Sequence, residues 1–138
     1  MREILFRGKD TNTGEWVYGD LYQEKHTDKS VTYCIVKPLS TYEVAPNTVG
    51  QYTGLTDKKG NKIFEGDIVK MKTKLYGDEI FRIGYEDSHI GAFCLCSDDD
   101  DNSRFVGIFG RDYGYEPFYC EVIGNYFDTP ELLKGGEE

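Results

Sequence analysis

Few residue types in this chain could do chemistry, and their spacing limits what that chemistry would be. Cys94 and Cys96 lie two apart, so on a strand their side chains share a face. With Cys34 and Cys120 they complete the set of four cysteines. Four thiols suggest a zinc site, but structural zinc sites use paired CxxC knuckles and this spacing is different. Cys34 and Cys120 also sit inside apolar runs, where a thiol behaves as a small hydrophobe. Buried, reduced thiols are therefore expected, and no metal. The two histidines, His26 and His89, fall in polar turns. His89 is near Cys94 in sequence, which makes the pair a candidate thiol nucleophile and base. Such a pair needs an orienting third group and donors for an oxyanion, and no motif supplies them.

The run Asp98 to Asn102 places Asp98, Asp100 and Asn102 at the alternate positions that begin a calcium loop. The sixth position is Ser103 rather than Gly and the twelfth is Phe109 rather than Glu, so the loop pattern breaks. A weak cation site at Asp98 and Asp100 is the remaining metal reading, against a solvated acidic tip. Lys58, Lys59, Lys62, Lys70, Lys72 and Lys74 form the one basic cluster dense enough to meet phosphate. Tyr113, Tyr115, Phe118 and Tyr119 cluster around Gly110, Gly114 and Pro117. Tyrosine on a loop offers large contact area at low entropy cost, so this is the candidate partner-binding surface. The alternative is that these rings cover an open barrel end.

The elements that must position these residues are strands. The chain has 138 residues, with 11 Tyr, 8 Phe, one Trp, 16 Gly and 4 Pro. That balance suits an all-β domain with tight turns. Residues 3–22 read as a hairpin about the turn Gly8 to Gly14, with Trp16 and Tyr18 on one face, where packing is the expected role. Val31 to Val36 reads as a buried strand and Tyr42 to Asn47 as a bend around Pro46. Glu79–Tyr85 and Ala92–Cys96 pair, Ser97 to Ser103 is an acidic loop, and Arg104–Phe109 and Phe118–Ile123 follow as strands. Thr129 and Pro130 read as the N-cap and first residue of a short helix.

The formal charge is −9. Nucleic-acid affinity rests on basic side chains meeting phosphate, so this balance opposes it, as it opposes an anionic membrane. There is no apolar run of spanning length and no signal-like apolar segment near Met1, so a cytoplasmic protein is expected.

Between these elements lies the densest punctuation in the chain. Thr56 to Asn61 is a polar cluster suited to closing a hairpin. Glu65-Gly66-Asp67 then breaks the apolar run before Ile68-Val69-Lys70. Gly66 reads as a position that needs positive φ or close backbone approach. Three blocks, FRGKDTNTGEWVYGDL (Phe6 to Leu21), TVGQYTGLTDKKGNKIFEGDIVK (Thr48 to Lys70) and EVIGNYFDTPELL (Glu121 to Leu133), resemble the YopX family of bacteriophages and prophages. The resemblance implies an all-β fold: an N-terminal β subdomain (residues 1–54), an SH3-like roll or partly open barrel (55–134) with a short C-terminal helix, and a frayed tail (135–138). It marks Gly50, Gly54, Asp57, Gly60, Glu65, Gly66, Asp67 and Gly124 as structural motif positions. It implies no biochemical activity.

The expectation is a non-catalytic phage or prophage accessory protein that works through protein–protein contacts, self-association included, in the host cytoplasm and without a cofactor. A nucleic-acid-associated protein using the lysine face is the alternative. A hydrolase or thiol enzyme using Cys94 and His89 is the third reading.

Overall fold

The structure is a computed structural model that describes residues 2–73, 77–86, 91–99, 102–108 and 120–135. The described chain is all-β. Its strands are β1 (Phe6–Lys9), β2 (Trp16–Lys25), β3 (Val31–Lys37), β4 (Ser40–Glu43), β5 (Gly50–Thr56), β6 (Lys62–Phe64), β7 (Asp67–Thr73), β8 (Gly77–Glu86), β9 (Ala92–Asp99), β10 (Asn102–Ile108) and β11 (Cys120–Asn125). A 3₁₀ turn covers Pro46–Thr48 and one short helix, α1, covers Glu131–Gly135. The chain divides into two units, Met1–Tyr52 and Thr53–Glu138.

In the first unit the strand order is β4-β3-β2-β1-β5, and β6 adds to the far half of β5 within the second unit. The β1–β2 hairpin is closed by Asp10. Its carboxylate accepts the Asn12 N–H at 2.8 Å, and its carbonyl accepts the Gly14 N–H at 2.8 Å. Aspartate favours such turns because its side chain can stand in for a backbone acceptor. Ile35 and Val44 are fully buried in this unit. Gly8 lies directly on Val44, where a Cβ would come within 2.9 Å of its side chain. Thr48 fixes the 3₁₀ turn, donating to the Ala45 carbonyl at 2.6 Å and accepting the Lys9 N–H at 2.9 Å.

Two elements differ from the sequence reading here. β2 continues to Lys25, because Asp20 to Lys25 pair residue by residue with Val36 to Val31. β4 was not anticipated: Ser40 to Glu43 are polar and short, and they form a strand because β3 offers them a free edge from Cys34 to Lys37.

The second unit carries an antiparallel sheet in the order β10-β9-β8-β7-β11. Among the described residues it does not close into a barrel. Its core is Ile63, Val69, Met71, Phe81, Ile83, Leu95 and Cys120, with Leu55 and Val122 packed against it. The alternate residues of β7, β8 and β9 point to the other face, where Ile68, Cys94 and Cys96 are also buried. That second face is covered only in part, because Lys70 and Lys72 on the same side of β7 are exposed. The acidic segment 97–103 is largely strand rather than loop. Asp99 pairs with Asn102 and Asp98 with Ser103, so the ladder overrides the poor strand preference of aspartate; Asp100 and Asp101 lie outside the described residues.

The chain enters β7 through Glu65-Gly66-Asp67. Gly66 has φ +94°, a conformation open to glycine and strained for other residues. Its N–H donates to Ile83 and its carbonyl accepts from Tyr126, both at 2.8 Å. Asp67 is buried and its carboxylate accepts the Phe64 N–H at 2.8 Å.

At the other end of the unit, Asn125 organises the turn after β11. Its side-chain oxygen accepts the N–H groups of Phe127 and Asp128 at 3.0 and 2.9 Å. The Thr129 hydroxyl bonds back to the Asn125 backbone instead of capping the helix, a local geometry that no helix-start rule foresees. Gly124 makes room for this turn. A Cβ there would overlap the Thr129 hydroxyl and stand 2.9 Å from Leu132 Cδ1. Gly124→Ala should therefore destabilise the fold by about 1–3 kcal/mol, the usual cost of overpacking a tight contact. The check is the urea midpoint with its slope, and an unchanged midpoint would show that the C-terminal turn does not rest on Gly124.

Candidate functional site

Three clusters emerge from this framework. The first is built on Asp57, at the start of the loop between β5 and β6. Asp57 is 5% exposed. Its Oδ1 accepts the Lys59 and Asn61 N–H groups, each at 2.9 Å. Its Oδ2 accepts the Val122 N–H at 2.9 Å and Asn61 Nδ2 at 3.3 Å. Each oxygen thus takes two donors, which uses the acceptor capacity of a carboxylate. Lys58 adds a backbone bond to the Cys120 carbonyl at 3.1 Å. Burial pushes the Asp57 carboxyl up, but the hydrogen bonds from Val122, Asn61 and Lys59 outweigh it and hold the group below its ordinary value of 3.8. A saturated carboxylate cannot also serve as a base or ligand, so this motif is a staple between the loop and β11.

The other motif positions are likewise placed by the backbone. Gly50 begins β5 opposite Arg7, Gly54 lies within β5 at φ +90°, and Gly60 closes the Asp57 loop at φ +86°. Glu65 precedes the Gly66 turn.

Around the staple sit the lysines. Lys59 Nζ meets Glu121 Oε2 at 2.7 Å and Lys58 Nζ lies 3.8 Å from Oε1. Lys70 Nζ lies 3.8 Å from Asp78 Oδ2, and Lys72 stands opposite Asp78 in the ladder. Lys62 is exposed at the start of β6. Lys74 lies outside the described residues. Among the described residues Lys58, Lys59 and Lys70 are thus matched by carboxylates, and the field they offer to phosphate is correspondingly reduced.

The second cluster is an aromatic face on β2. Trp16, Tyr18, Asp20, Tyr22 and Glu24 alternate onto one side of the strand. Tyr18 is 42% and Tyr22 53% exposed. Trp16 is half-buried, with the Arg7 guanidinium 4.5 Å and the Lys9 ammonium 5.5 Å from its ring centre. Arg7 and Lys9 pair across the ladder with Tyr18 and Trp16, so all four share this face. The sequence shows that Trp16 and Tyr18 are on one side. It gives no sign that this side is open, and it does not single out Tyr22 at all.

The third cluster is the cysteine pair. The Cys94 and Cys96 sulfurs lie 3.5 Å apart on β9. Cys120 faces the opposite side of the sheet, within the apolar core. Burial there pushes its thiol up to about 12, which leaves it unreactive at neutral pH. Cys34 is buried in the first unit, and burial also raises its thiol. Among the described residues no group of three or more histidine, cysteine or acidic side chains could hold a metal. His89, the proposed partner of Cys94, lies outside the described residues. So do Tyr113, Tyr115, Phe118, Tyr119 and Asp100, and Asp98 is described only as a position in β9.

The Asp57 staple has a measurable signature. A carboxyl held low in the folded state contributes stability that is complete above its unfolded value and is lost as pH falls through the folded one. Asp57→Ala leaves the part-buried N–H groups of Val122, Lys59 and Asn61 without their acceptor and should cost about 1–3 kcal/mol at neutral pH. Asp57→Asn keeps the shape and should cost less. Wild type should lose stability relative to the Asn variant as pH drops below 3.8. Parallel pH profiles for the two proteins would remove the staple from the account.

Comparison with known proteins bears on these clusters as follows. A search of curated proteins finds no match. The crystal structure of protein EF1440 from Enterococcus faecalis is similar, with a TM-score of 0.52 and 23% identity over 96% of this chain and 99% of that one. That likeness shows a shared fold. The family described as YopX protein matches residues 5–134, which spans both units and contains the Asp57 staple, the Gly66 turn and the β2 face. The chain belongs to the YopX protein family.

Proposed function

We propose that this protein is a non-catalytic accessory protein of a phage or prophage, acting in the host cytoplasm by binding another protein. The observation that carries this reading is the open aromatic face of β2. Tyr18 and Tyr22 hold large apolar rings in water with Asp20 and Glu24 beside them. Tyrosine is enriched at binding surfaces because its rigid ring gives contact area while its hydroxyl tolerates water. The two carboxylates favour a partner that brings basic side chains to the same strip. A second copy of the chain is one partner of this kind. The Tyr113, Tyr115, Phe118 and Tyr119 cluster is the companion surface in this reading.

A catalytic role has less support. The most saturated carboxylate is structural, and the Cys120 thiol is held protonated. Nucleic-acid binding through the lysines is disfavoured by the ion pairs to Glu121 and Asp78 and by the overall charge of −9.

The test is capture from host lysate by the full-length chain, with and without nuclease, after its mass in solution has been measured by light scattering. The double variant Tyr18→Ala/Tyr22→Ala should reduce capture of a specific protein by about tenfold or more, as loss of central aromatic anchors does. Tyr113→Ala/Tyr115→Ala reports whether the second aromatic cluster shares the work. Capture that disappears with nuclease would replace this reading with nucleic-acid association. A strictly monomeric protein that captures nothing would end it.

A further inference from the structure

The open face of β2 continues across β3 and β4, and the register of the strands shows what it presents. Residues directly opposite each other on antiparallel strands share a face. Tyr22 stands opposite Cys34 on β3, and Cys34 stands opposite Glu43 on β4, so the three form one row. Asp20, Val36 and Thr41 form the row on one side of it, and Glu24 with Thr32 the row on the other. Val44, the next residue after Glu43, is fully buried with Ile35, and strand parity puts Glu43 on the outer side. Asp20, Glu24 and Glu43 are exposed, as is Tyr22, while Cys34 between them is buried. Burial raises the Cys34 thiol above its ordinary value, and the negative charges of Glu24 and Glu43 raise it further. Both carboxylates therefore lie near one point, the residue that pairs with Tyr22.

No lysine or arginine occupies these rows. Lys25 and Lys37 have the opposite strand parity, and Lys37 lies over the Tyr42 ring at 5.8 Å. Arg7 and Lys9 are at the other end of the face, over Trp16. The half of the face beyond Tyr18 thus offers three carboxylates and an exposed aromatic ring. That set recognises a cation, because the ring face attracts positive charge and the carboxylates accept its hydrogen bonds. A guanidinium suits it better than an ammonium, since its planar fork both stacks on a ring and pairs with a carboxylate. Asp20, Tyr22 and Glu24 recur at steps of roughly 7 Å, the spacing of alternate side chains in any extended segment. A second copy that met this strip with its own would set like charges against each other.

We propose that the outer face of β2, β3 and β4 docks an extended, arginine-bearing segment of a partner protein. One guanidinium stacks on Tyr22 and pairs with Glu24 and Glu43. A second, two residues along the segment, pairs with Asp20. The inference rests on the protein-binding reading of the β2 face and narrows its partner to a basic segment.

The experiment is an NMR titration of the isotope-labelled full-length chain with the capped peptide Ser-Arg-Thr-Arg-Thr-Arg-Ser. Saturable shifts should centre on the amides of Asp20, Tyr22, Glu24, Cys34 and Glu43. A peptide with citrulline in place of arginine keeps the shape without the charge and should not saturate. The double variant Glu24→Gln/Glu43→Gln should weaken binding by about fivefold, the combined effect of two exposed ion pairs. Tyr22→Ala should weaken it by about threefold. Glu131→Gln removes an exposed charge in the second unit and should leave the affinity unchanged. The proposal is overturned if the citrulline peptide binds equally, if the shifts spread over acidic positions of the second unit, or if Glu131→Gln weakens binding as much as the double variant. It is also overturned if the strip amides respond to dilution alone, which would give the face to a second copy. Capture from host lysate separates this inference from the broader reading. Capture lost with Tyr18→Ala/Tyr22→Ala but kept with Glu24→Gln/Glu43→Gln would remove the arginine segment and leave the protein-binding reading standing.

Discussion

The fold of the second unit depends on one buried carboxylate. Asp57 draws together donors from two segments that are 65 residues apart, the loop between β5 and β6 and the strand β11. A buried charge survives when hydrogen bonds replace its lost water, and four donors do so here. Position follows from this. β11 is bonded to β7 on one side. The β5–β6 loop grips it near Cys120 and Val122, where Lys58 and Asp57 meet its backbone. Once β11 is placed, Gly124 and Asn125 are placed too, and the turn that leads to α1 can pack over the sheet. Asp67 repeats the device on a smaller scale, holding the Phe64 N–H across the Gly66 turn.

Such interactions explain why the conspicuous residues of the central motif are poor candidates for chemistry. A carboxylate with each oxygen taken twice has nothing left to offer a substrate. The lysines beside it, which look basic in sequence, are drawn to Glu121. In this exposed setting the ion pairs add little to stability, yet they still reduce the positive field that a phosphate would meet. The negative charge is concentrated in residues 53–138, whereas residues 1–52 are nearly balanced. A partner guided by charge would therefore meet the two units differently.

Much of the architecture was legible because it follows from local rules. Alternation identified most strands, and the polar cluster before Asn61 and the break at Gly66 announced their turns. The failures share a cause, which is that pairing partners are not written locally. β4 is too short and polar to declare itself, and β3 recruits it. Asp98 and Asp99 read as a loop, but β10 holds them in the ladder. For the sites, period-two counting put Trp16 with Tyr18 and Cys94 with Cys96. It could not tell which face stays open, so Tyr22 went unremarked. Nor could it show that Asp57 reaches Val122, since that contact exists only after the sheet has formed.

The cysteines show how far residue type alone falls short of a role. Cys120 and the Cys94–Cys96 pair belong to one sheet and are all buried. Cys120 points into a core of Val69, Met71 and Leu95, where burial outweighs the attraction of Lys58 for a thiolate and the proton stays on sulfur. Cys94 and Cys96 project from the other face, their sulfurs 3.5 Å apart and packed closely on Gly84. Their different prospects follow from strand parity, which sends adjacent side chains to opposite faces, and from one residue without a side chain on the neighbouring strand. Burial is common to all three and so does not separate them. What separates them is their company: Cys94 and Cys96 each have a second sulfur at 3.5 Å, whereas Cys120 sits in the apolar core.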